Sequence, residues 1–249
     1  MPSTFTFTSE QRLDDGTIER DFQLGDLPGI LWMPASASTS APVPLILLGH
    51  PGDLSRQHPR LRARAVASAV SDFASVTIEL PGAGGRPAIP EAQRARDDLR
   101  RALAAGKPVS ADIVDRLILP LVEQSVPEWR ATLDAALTLP EVREPAAYSG
   151  GIVSIGVRLA RVEPRIRAAG LFAGSFVPDA IMHEARDVRI PVHMLLQWDD
   201  EGNDRQMALD LFDALGSAEK TLEANLGGHT GVPAHAGQGA AGFFTRHLS

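Results

Sequence analysis

Short, fully apolar runs closed by glycine, each followed by a stretch of helical periodicity, restrict this chain's fold more than any other feature. Pro44–Leu48 (PLILL) is one such run, ended by Gly49, and Phe73–Leu80 (FASVTIEL) is another, ended by PGAGGRP. Runs that are apolar at every position suit strands covered on both faces, as in parallel sheets. Pro145–Gly151, Arg167–Ala173, Val192–Trp198 and Lys220–Asn225 continue the series. Helical patterns lie between or after them: Pro59–Ser71, Ile155–Val162, Arg205–Leu215 and a closing Gln238–His247. Such repetition predicts an α/β fold, a mostly parallel central sheet flanked by helices.

Ahead of this series, Thr17–Leu24 alternates, and GDLPG breaks the chain before Ile30–Met33, the pattern of two strands joined by a turn. Two further helical patterns, Glu91–Ala105 and Ser110–Gln124, precede VPEW, whose Pro127 suits the first turn of another helix. The segment 90–126 therefore reads as a small helical cap inserted into one domain spanning 1–249. Its apolar residues Ile113, Leu117, Ile118 and Leu121 recur at helical spacing and are expected to face the body or the substrate.

Composition excludes several classes of function. A net charge of −7 with no Lys/Arg run argues against nucleic acid as a partner. The absence of Cys removes disulfides, thiolate metal sites and a cysteine nucleophile. The seven His are scattered, with no H-E-x-x-H, so no metal is expected. PGAGGRP lacks the third glycine of a dinucleotide fingerprint, so no nicotinamide or other cofactor is expected either. The longest apolar run falls far short of the roughly 20 residues of a membrane helix. The first residues also lack the basic-then-apolar layout of a signal peptide. The expectation is a cytoplasmic protein, monomer or homodimer, acting on a small molecule.

In parallel sheets, sites gather at the carboxyl ends of strands. Those ends carry His50 after PLILLG, Gly82–Gly85 after TIEL, Ser149–Ser154 after PAA, Asp199 and Asp200 after LLQW, and His229 after the last strand. A carboxylate after one late strand and a histidine after the next suit an Asp–His pair, in which the acid orients an imidazole that moves protons near neutral pH.

Six segments taken in order resemble the landmarks of the α/β-hydrolase family, in particular its dienelactone-hydrolase-like and small bacterial esterase branch. They are LILLGHPGD, IELPGAGGRP, VPEWRATLDAAL, EPRIRAA, LLQWDDE and ANLGGHTGVP. The resemblance covers nearly the whole chain and implies an enzyme that hydrolyses an ester, lactone or thioester. It implies His229 as base, Asp200 ahead of Asp199 as acid, and His50, Pro51 and Gly52 as the oxyanion segment, with Gly52 as a possible N–H donor.

Three departures stand out. Pro51 replaces a glycine and has no N–H to donate, and Ala83 replaces a histidine. The family's G-x-S-x-G elbow, which needs small residues two positions either side of its serine, is altered to AAYSGGIVSIG. Ser149 has small residues at both positions, whereas Ser154 has Gly156 after it and Ile152 before it. A gapless match instead puts Ile152 in the nucleophile's place, with Val153 beside it against substrate. Three classes follow: a serine hydrolase using Ser149 or Ser154, a nucleophile-less enzyme using His229 and Asp200 as a general base for elimination, cyclisation, rearrangement or water addition, and a binding protein that has lost its chemistry.

Overall fold

The computed structural model describes residues 4–174, 176–229 and 231–249; Thr230 of the GGHTGVP segment lies outside them. The chain opens with three strands, β1 (Thr6–Arg12), β2 (Ile18–Leu24) and β3 (Leu27–Met33). It continues through β4 (Val43–Gly49), α1 (Leu54–Ala69), β5 (Ala74–Ile78), α2 (Pro90–Ala104) and α3 (Ala111–Ala136). The remainder is β6 (Val142–Gly150), α4 (Val153–Val162), β7 (Ile166–Phe172), α5 (Asp179–Ala185), β8 (Val192–Gln197), α6 (Arg205–Ala214), β9 (Lys220–Asn225) and α7 (Ala234–Leu248).

The strands form one sheet in the order β1-β2-β3-β5-β4-β6-β7-β8-β9. Pairing is antiparallel from β1 to β5 and parallel from β5 through β4 to β9. The buried runs behave as their composition requires: every residue of β4 and of β5 is buried. Alternate residues of these strands feed two cores. Leu45, Leu47 and Tyr148 point to the face covered by α3 to α6, and Ile46, Leu48 and Ala147 to the face covered by α1 and α7. Strand order reverses where β5 and β6 flank β4, the switch point at which open α/β sheets hold their ligands.

Three expectations need correction. Pro127 does not start a helix: α3 runs unbroken from Ala111 to Ala136 with Pro120 and Pro127 inside it. Burial of Val122, Val126, Trp129 and Leu133 along one stripe holds it together despite the lost backbone bonds. Helix α1 begins at Leu54, five residues before Pro59, because the Asp53 side chain caps it by accepting the Arg56 N–H at 3.0 Å. The short helix α5 is not among the sequence's helical patterns, and β1 adds a third strand to an N-terminal stretch, residues 1–35, that reads as β structure.

Candidate active site

Two glycines shape the switch point. A Cβ on Gly49 at the end of β4 would stand 2.1 Å from the Tyr148 hydroxyl, and one on Gly150 would stand 2.3 Å from the Gly49 carbonyl. Gly150 also takes a φ of +123°, which side chains resist. The chain then crosses Gly151 and Ile152 and enters α4. Ile152 keeps an extended φ of −77°, as suits a β-branched residue, and the positive φ falls on Gly150 two residues earlier. As the residue flanking α4, Ile152 offers no side-chain cap, unlike Asp53, Ser110 and Asp204, which cap α1, α3 and α6. First-turn N–H groups have no intrahelical acceptor, so those of Val153 and Ser154 depend on whatever lies beyond the helix end.

A cavity of about 420 Å³ opens at this turn. Ile152, Val153, Leu171, Phe172 and His229 line it, joined by Ile118 from α3 and by Arg64 from α1. That volume is in the range of small-molecule sites. The wall is largely aliphatic and aromatic.

His229 follows β9, and its Nδ1 donates to Asp200 Oδ2 at 2.6 Å, which leaves Nε2 as the basic nitrogen of the ring. The Asp200 side chain is 3% exposed and the His229 side chain 52%. Asp200 is held by the Gly202 N–H at 3.0 Å and by the Asn203 amide, while Asp199 is exposed. The Phe172 ring stands edge-on to the imidazole, centroids 5.5 Å apart.

The two serines lie differently. Ser149 Oγ, on the α1 side of β6, accepts from Arg64 Nη2 at 3.0 Å. Ser154 is buried within α4, and its Oγ has no hydrogen-bond partner among the described residues. Neither hydroxyl is hydrogen-bonded to His229 among those residues.

In the segment after β4, His50 is buried and Nε2 donates to the Ile78 carbonyl at 2.9 Å; burial lowers its pKa and that carbonyl partly offsets the effect. His50 and Pro51 border the cavity, whereas Gly52, at a φ of +120°, is not part of its wall.

Sequence reasoning missed Arg64, Phe172, His193 and Asn203, all of which line the cavity. Only Arg64 left a trace: in HPRLRARA it sits between Leu61 and Ala65, both buried, on the inward face of α1. Among the described residues no group of three or more His, Asp or Glu is placed to hold a metal ion, and no helix is long and apolar enough to cross a membrane.

No protein-family model matches the chain. No curated protein matches it. Solved structures do. A cold-adapted esterase from an Arctic intertidal metagenomic library superposes with a TM-score of 0.75 at 25% identity, covering 97% of this chain and 98% of the esterase. The fold is that of the α/β-hydrolases. Other structures with this hydrolase fold are more distant in sequence. Acetyl xylan esterase 1 from Thermoanaerobacterium sp. shares 13% identity at a TM-score of 0.63, covering 99% of this chain and 88% of its own. A dienelactone hydrolase from Anabaena variabilis shares 15% at 0.57, covering 97% and 99%. The scaffold is thus that of a hydrolase-fold enzyme.

Proposed function

We propose that this protein hydrolyses a small ester, lactone or thioester by general-base attack of water, with no covalent intermediate at the elbow. One observation carries this reading: His229, hydrogen-bonded to Asp200, lines the same cavity as the aliphatic Ile152. The Arctic esterase, similar along nearly its whole length, supports ester hydrolysis as the reaction.

In this mechanism His229 Nε2 takes a proton from water as the oxygen attacks the carbonyl carbon. Asp200 stabilises the imidazolium without itself becoming protonated. The Val153 N–H, uncapped at the start of α4, faces the oxyanion. As the tetrahedral intermediate collapses, the proton passes from His229 to the departing alkoxide or thiolate. The segment 90–126 acts as the cap, with Ile118 closing the cavity from above the substrate. The substrate is a small molecule, and the protein works in the cytoplasm as a monomer or homodimer.

A fluorophosphonate probe with intact-mass readout tests the reading on p-nitrophenyl acetate. We expect turnover to persist with no adduct and to fall in His229→Ala. An adduct on Ser149 or Ser154 that stops turnover would replace this mechanism with an ordinary acyl-enzyme route.

A second reading has Pro51 in its favour. That residue removes an N–H from the oxyanion segment and so weakens support for a tetrahedral intermediate. His229 would then take its proton from a carbon acid of the substrate. Deuterium wash-in next to the carbonyl of a slowly turned-over ester, absent in His229→Ala, would favour it.

A further inference from the structure

Arg64 lines the cavity, and the hydrolytic mechanism gives it no role. Its guanidinium is wedged between the ends of β4 and β6. There Nη1 donates to the Gly49 carbonyl at 3.0 Å, and Nη2 donates to the Ser149 carbonyl at 2.7 Å and to Ser149 Oγ at 3.0 Å. A Cβ on Gly150 would stand 3.0 Å from Nη2 and 3.1 Å from Nη1 and would crowd the group. Three of the five N–H donors are accounted for in this way.

The charge itself has no counterpart. Several other partly buried arginines are paired: Arg86 with Glu128, Arg158 with Glu184, Arg165 with Glu163 and Asp134. Among the described residues no carboxylate is within ion-pair distance of Arg64. Burial, with the positive charge of Arg60 added, pushes the Arg64 guanidinium down to about 10. A desolvated cation without an anion is costly, and the space beside it is open cavity.

We propose that this part of the cavity is an anion subsite. There Arg64, with the exposed Arg60 one helical turn away, holds the carboxylate of a ligand whose apolar body lies along Ile152, Leu171 and Phe172. A monocarboxylate matches a single guanidinium with donors to spare, and an apolar body matches the wall. That the bound carboxylate belongs to a substrate rests on the proposed function; that the cavity binds one does not.

Calorimetric titration with 4-phenylbutyrate and its neutral amide, 4-phenylbutyramide, tests the subsite without any need for turnover. In the wild-type protein we expect the acid to bind about 10- to 100-fold tighter than the amide. That preference should disappear in Arg64→Gln with amide binding unchanged, and narrow in Arg64→Lys, which keeps the charge without the planar fork. Equal affinity for acid and amide, or no binding of the acid, overturns the subsite in the wild-type protein alone, whether or not Arg64→Gln folds. A preference that survives Arg64→Gln but vanishes in His229→Ala overturns it too, because the carboxylate would then sit on the imidazole. If His229→Ala keeps both the preference and the esterase turnover, the hydrolytic reading fails and the subsite stands.

Discussion

The two halves of the site are built to different standards. On the β8–β9 side the acid and the base are joined: Asp200 is buried, receives two donors from its own turn, and holds His229 at 2.6 Å. On the β6–α4 side, the residue at the turn is aliphatic, one serine hydroxyl serves an arginine, and the other is buried without a partner. A buried carboxylate without partners is costly, so a chain that keeps Asp200 hydrogen-bonded to His229 while the neighbouring turn carries an isoleucine holds the two under separate constraints. Under the proposed function, proton transfer and nucleophilic attack, joined in one hydrogen-bonded triad in a serine hydrolase, separate in the same scaffold.

Removing the ordered half gives the strongest test. His229→Ala is expected to lower turnover of p-nitrophenyl acetate by roughly 10²–10⁴-fold, the worth of a positioned acid–base group. A loss below tenfold would break the contrast. Asp200→Asn keeps the shape and removes the charge that steadies the imidazolium. Its expected loss is smaller, on the order of 10²-fold, as for the acid relative to the base in other catalytic pairs. Loss of activity with an unchanged melting temperature would mark the effect as chemical.

Ile152→Ser sharpens the contrast from the other side. It restores a small-x-Ser-x-small frame between Gly150 and Ser154, and the expected result is a new fluorophosphonate adduct at position 152. Ser149→Ala should change turnover by less than about tenfold, because its hydroxyl is occupied by Arg64. An effect as large as that of His229→Ala would make Ser149 part of the chemistry.

The smallest expected effect is on stability. His50 and His193 are buried, which lowers the pKa of each in the folded state below its ordinary value of 6.5. A lowered folded pKa means that the unfolded chain binds the proton first. Stability contributed by the neutral rings is therefore present above pH 6.5 and declines as pH falls through that value, by at most about 1.4 kcal/mol per pH unit per proton. Urea midpoints at pH 7.5 and 5.5 should drop less in His50→Gln than in wild type; identical drops would remove His50 from the account.

Much of this was legible in the order of residues. Apolar runs such as PLILL can be satisfied only by burial on both faces, so they announce a parallel sheet and, with it, the strand ends where chemistry gathers. Asp200 and His229 were legible for the same reason, since two consecutive parallel strands bring their ends side by side. Where α3 began and ended was not legible, because the prolines that ordinarily stop a helix were overruled by a buried stripe that exists only once the helix is packed. The elbow divides along the same line. An isoleucine among small residues was visible in AAYSGGIVSIG, but which side chain turned toward the cavity depended on the sheet register and on Gly150 taking the positive φ. Arg64 was legible only in part. In sequence it shows as an arginine beside Leu61 and Ala65 on the inward face of a helix, and its isolation is set by the carboxylates that packing keeps away from it, a relation between residues far apart in the chain.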